Sequence, residues 1–96
     1  REVEEIRTLI DDLSKYNLEA DEANILGVAN VVLWEVSGDE AYFEKGIRIL
    51  EEAQTEKAKI NLAIAYTKYA ARLLDSGADF KEVKKYALLA KQYAKS

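Results

Sequence analysis

Asp75-x-Gly77-x-Asp79 places two carboxylates at the spacing that opens a calcium-binding loop. The glycine after the third ligand and the closing glutamate are missing, so the spacing predicts no calcium site. Asp11-Asp12 and Glu51-Glu52 pair carboxylates in sequence. Acid–base work needs two carboxyls facing one bond, whereas adjacent helical residues point about 100° apart. The glycines, Gly27, Gly38, Gly46 and Gly77, are too scattered to cradle a phosphate. With no His and no Cys, the usual base near neutral pH and the thiolate nucleophile are both missing. No acid interrupts an apolar stripe to suggest a metal site. These residues predict no enzyme, no catalytic group, no metal and no cofactor. Tyr66, Tyr69, Tyr86 and Tyr93 recur at i, i+3 and i, i+7. That spacing predicts helix–helix packing with hydroxyls at the rim, and Trp34 is expected in the core.

Composition narrows the class further. Ninety-six residues make one small domain. The chain is 49% apolar and 33% charged, which is globular rather than disordered. No apolar run approaches the ~18–20 residues of a membrane span, and no signal-peptide pattern opens the sequence. Average usage of about 5% predicts roughly five prolines, yet there is none. Their absence points to a chain that is nearly all helix. Net charge is −4, unevenly placed: residues 1–56 hold fifteen acids and five bases, residues 57–96 three acids and nine bases. The bases carry no nucleic-acid motif, so attraction between the halves and ordinary solvated faces are the expectation, with no nucleic-acid or membrane partner.

Helical periodicity then places the elements. The first helix is expected over about 2–16, with Val3, Ile6, Leu9, Ile10 and Leu13 on one stripe and Asn17 as its stop. The second, about 20–36, is apolar on nearly every side and ends at Ser37-Gly38-Asp39. The third covers about 40–54 and the fourth about 56–75, with Thr55 as N-cap. A continuous helix over 40–75 is the alternative, although 36 residues exceeds the usual helix length. The fourth, like the second, is apolar around most of its girth. After Asp75-Ser76-Gly77-Ala78 the fifth is expected over about 80–95, opened by Asp79 with Glu82 in capping-box spacing. The fold class is therefore all-α: a five-helix antiparallel bundle or short helical-repeat array. Two apolar central helices are flanked by three amphipathic ones.

Leu26-Gly27 and Leu62-Ala63 lie 36 residues apart, each inside a central helix. Gly46-x3-Leu50-x2-Ala53 returns as Val83-x3-Ala87-x2-Ala90 at a step of 37. Asn61-Leu62-Ala63-x2-Tyr66 carries the large–small pair and aromatic that mark the first helix of a tetratricopeptide repeat. Ile25-Leu26-Gly27-x2-Asn30 is similar, with Asn30 in the aromatic's place. Over about residues 20–94 the chain resembles that family. The resemblance implies antiparallel helix pairs and a concave groove for an extended peptide. On that reading Asn24, Val28 and Val31 line the groove from the second helix, and Lys57, Ile60, Asn61, Ile64 and Lys68 from the fourth. Lysines beside asparagine would suit a short acidic or C-terminal peptide.

The competing expectation is that these side chains are core, covered by the first and fifth helices. Gly27 and Ala63 would let a neighbouring helix approach while Leu26, Leu62 and Tyr66 fill the space beside them. Asn61 would then sit at a margin, bonded to backbone or water. The absence of Pro, Cys, Met and His suits an engineered helical scaffold with no evolved activity, monomeric and needing no partner. The alternative is the protein-interaction module.

Overall fold

The computed structural model describes residues 2–13 and 19–95. Five helices follow one another: α1 Glu2–Leu13, α2 Ala20–Ser37, α3 Glu40–Ala53, α4 Glu56–Asp75 and α5 Phe80–Ala94. Tyr16 and Asn17, the expected end of the first helix, lie outside the described residues. Each later boundary has a local cause. Gly38 takes the left-handed conformation after α2, and the Asp39 carboxylate accepts the Ala41 N–H at 3.0 Å to start α3. Gln54 turns left-handed at φ 53°, and the Thr55 hydroxyl accepts the Ala58 N–H at 3.0 Å. That pair divides α3 from α4. Gly77 closes α4: its N–H bonds Leu74 O and the Ala78 N–H bonds Leu73 O, the paired pattern of a left-handed helix stop. The Asp79 carboxylate then accepts the Lys81 N–H at 3.2 Å, while the Glu82 N–H bonds the Asp79 backbone carbonyl at 2.9 Å instead of the side chain that a capping box would use.

Short connections make sequence neighbours spatial neighbours. α2 packs on α3 and α4 on α5; α3 bridges to α4, and α2 lies beside α4. The α2–α3 crossing is close because two glycines meet there. A Cβ on Gly46 would lie 2.8 Å from the Gly27 carbonyl oxygen, and one on Gly27 would lie 2.7 Å from Leu50 Cγ. Trp34, Phe43, Leu50, Leu62, Ala65 and Tyr66 form the main core, while Ile10 joins Leu26 and Leu33 in a second cluster under α1. The apolar α2 and α4 are central, as their composition predicts.

They are not wrapped, however. The molecule measures 39 × 32 × 15 Å, and its 13.5 Å radius of gyration exceeds the about 12.5 Å of a compact chain of this length. α1 leans on α2 and the Tyr42–Ile49 edge of α3, away from α4. α5 leans on α4. Neither crosses the α2–α4 junction, so the expectation that the outer helices would cover Ile60 and Ile64 is wrong: they are 58% and 47% exposed.

Candidate functional site

Lys57, Ile60, Ile64 and Lys68 are three, four and four residues apart and stand in one row along α4. The lysines at its ends are eleven residues, or about 16 Å, apart along the axis. All four are exposed. Fully burying an isoleucine contributes about 1.5–3 kcal/mol, and roughly half of that is unrealised at Ile60 and Ile64. Across the junction Val28 stands half-buried on α2, with Val32 one turn beyond it. Val31 does not join them. It is 6% exposed and faces Gly46 of α3, so its expected place in the groove is corrected: the residue one turn on from Val28 is Val32.

Polar contacts hold the two central helices in register. The Asn61 side-chain amide donates to Asn24 Oδ1 at 3.0 Å. Asn24 is 8% exposed, so it acts as a clasp at the floor rather than an open lining residue. Asn61 thus finds a side-chain partner in place of backbone or water. At the other end Lys68 Nζ meets Glu35 Oε1 at 3.0 Å, and Arg72 donates to the Glu35 carbonyl at 3.0 Å. The Arg72 guanidinium also lies 4.4 Å from the centre of the Trp34 ring. Trp34, Glu35, Lys68, Arg72 and Asp75 border a shallow hollow of about 510 Å³ there.

The opposite side of α4 is filled by aromatic packing. Phe43 stacks on Tyr69 at 4.2 Å, Tyr69 meets Tyr86 edge-on at 4.7 Å, and Tyr66 lies between Tyr86 and Tyr93 at 6.0 and 5.9 Å. Two of their hydroxyls reach the rim as the spacing predicted: Tyr69 donates to Glu40, and Tyr93 to Glu51 at 3.4 Å, while Tyr66 is buried. Glu40 also accepts the Trp34 indole N–H at 3.2 Å. Burial pushes the Tyr66 phenol up to about 12, with the Glu51 charge adding to it. Burial first, then the Glu40 hydrogen bond and charge, raises Tyr69; burial, then the Glu51 charge, raises Tyr93. All three therefore stay neutral near pH 7 and serve packing rather than proton transfer.

The remaining chemical candidates resolve into structure. Asp79 caps α5 and Gly77 shapes the turn before it, while Glu51 and Glu52 are exposed on α3. Among the described residues no three acidic side chains gather at one point. No known protein family, curated protein or solved structure matches this chain. Sequence reasoning missed Glu35, Val32 and the Asn24–Asn61 bond. The last had a signal: the two asparagines are 37 residues apart, the same step that separates Gly46 from Val83.

Proposed function

We propose that this protein is a helical interaction module that holds a short peptide along the α2–α4 face. The observation that carries the reading is the row on α4. Two solvent-exposed isoleucines stand between two lysines on a helix whose other sides are packed. Exposed apolar surface framed by like charge marks a docking site more often than chance exposure does. The partner's chemistry follows from it. Aliphatic side chains would cover Ile60, Ile64 and Val28, and carboxylates would meet Lys57 and Lys68. Lys68 already shares its charge with Glu35, so Lys57 has more to gain from a new partner. The helix order, with α2 and α4 side by side and α3 behind them, supports a tetratricopeptide-like arrangement in which first helices line the groove.

The test is a titration with fluorescein-labelled hexapeptides bearing alternate Val and Leu, two acidic residues and a free C-terminal carboxylate. Anisotropy and Trp34 emission are followed together. Saturable binding, weakened about tenfold or more by Ile64→Asp and by Lys57→Ala, is expected. Binding that ignores Ile64→Asp, or none up to millimolar peptide, would overturn the proposal. A second reading, an engineered scaffold with no evolved activity, is favoured by the absence of Pro, Cys, Met and His from all 96 residues. It expects a flat titration and cooperative unfolding at high temperature.

A further inference from the structure

The charge asymmetry of the sequence is only partly absorbed by the fold. Lys68–Glu35 is an ion pair between helices that joins the acidic half to the basic half, while Lys59–Glu56 joins them only within the first turn of α4. The most acidic helix and the most basic one sit at opposite ends of the slab. α1 packs on α2, and α5 on α4. Over Glu2–Leu13, α1 carries five acids and one arginine; over Phe80–Ala94, α5 carries four lysines and one glutamate.

Each end also presents apolar surface. On α1, Leu9 is 60% exposed and shares its outer face with Glu4, Glu5 and Thr8. At the far end a groove of about 440 Å³ runs between α4 and α5, floored by Ala63, Ala87, Ala90 and Ala94 and rimmed by Lys68 and Lys91; it shares Ile64 and Lys68 with the α4 row. Side chains that short let another helix come close, and the lysines suit an acidic one. We propose that the groove receives α1 of a second copy, with Leu9 inserted and the α1 carboxylates on the lysine rim. The surfaces that meet are different patches of the molecule. The contact is therefore head-to-tail, and it propagates wherever the rotation between copies does not close it. α1 is about 18 Å long, and one such helix buries less than the ~1,200 Å² of a stable complex. The association is accordingly weak and appears at hundreds of micromolar chain.

Sedimentation velocity on the whole chain tests this, using two variants at exposed positions off the α2–α4 row: Leu9→Asp and Ala87→Glu. Circular dichroism checks that both keep their helices. The wild type should form concentration-dependent oligomers at low salt that weaken about tenfold or more in 0.5 M NaCl. Each variant alone should be monomeric. Mixed, they should give a one-to-one dimer and nothing larger, since one retains its groove and the other its α1. A monomeric wild type at 0.5 mM, a variant that still self-associates, or a mixture that stays monomeric would each overturn the proposal. Peptide binding at Ile60 and Ile64 is read separately at micromolar chain, where the copies are apart.

Discussion

Replacing Gly46 with alanine adds one methyl group at the α2–α3 crossing. Its Cβ would lie 2.8 Å from the Gly27 carbonyl oxygen, 2.8 Å from Val31 Cγ2 and 3.2 Å from Asn30 Cβ. Comfortable separations between carbons are about 3.5–4.0 Å, so the shortfall is several tenths of an ångström to about 1 Å. The oxygen belongs to helix backbone and cannot turn aside. Val31 is 6% exposed and β-branched, so its rotamer is held as well. The two helices must therefore part, which loosens Leu50 in the middle of the core. Overpacking of this kind costs about 1–3 kcal/mol, and the better helix propensity of alanine returns roughly 1 kcal/mol. A net loss of up to about 2 kcal/mol is expected, which lowers the melting temperature by up to about 15 °C in a domain of this size. Thermal melts followed by circular dichroism at 222 nm measure it. A Gly46→Ala protein that melts at or above the wild-type temperature would refute the close crossing, because propensity alone would then have decided the outcome.

Gln54 holds a left-handed φ of 53° where Gly38 and Gly77 take the same region without strain. Gln54→Gly should therefore stabilise the protein by about 0.5–1 kcal/mol in urea unfolding, and a destabilised variant would contradict the cap. Asn61→Ala leaves the buried Asn24 oxygen without its 3.0 Å donor and should cost about 1–2 kcal/mol; a cost unchanged in an Asn24→Ala background would show that the bond contributes nothing. Alkaline stability follows from the tyrosines. Their folded values lie above the unfolded 10.0, so the folded state keeps protons that the unfolded chain loses. Stability should be level below pH 10 and fall as pH rises from there to about 12 and beyond, with phenolate absorbance at 295 nm lagging in the folded protein. Loss of stability between pH 8 and 9 would contradict this.

The helices were legible because their signals are local. The stripe of Val3, Ile6 and Ile10, the cap at Asp39 and the left-handed Gly77 each act within a turn or two of themselves. The break after Ala53 was less legible, since glutamine is not a residue that announces a left-handed stop. The openness of the α2–α4 face was not legible at all. Ile60 on the surface and Leu62 at 1% exposure are the same kind of side chain on the same helix. What separates them is where α1 and α5 lean, and that depends on contacts remote in sequence. Glu40 was invisible for a different reason. An acid in the first turn of a helix is ordinary, and its reach to Trp34 and Tyr69 exists only once α2, α3 and α4 have met.

Peptide binding on the α2–α4 face requires Ile60 and Ile64 to face solvent while Leu62 stays covered. The chain has no cysteine, so single thiols can be introduced without background. Labelling rates with a thiol reagent should be measured for Ile60→Cys, Ile64→Cys and Leu62→Cys, each against its own urea-unfolded form. The first two should react within a few-fold of the unfolded rate, and the third at least about 100-fold more slowly, because its reaction must wait for opening. Protection of Ile60→Cys and Ile64→Cys equal to that of Leu62→Cys would mean that the helices close over the face, and the binding site would not exist.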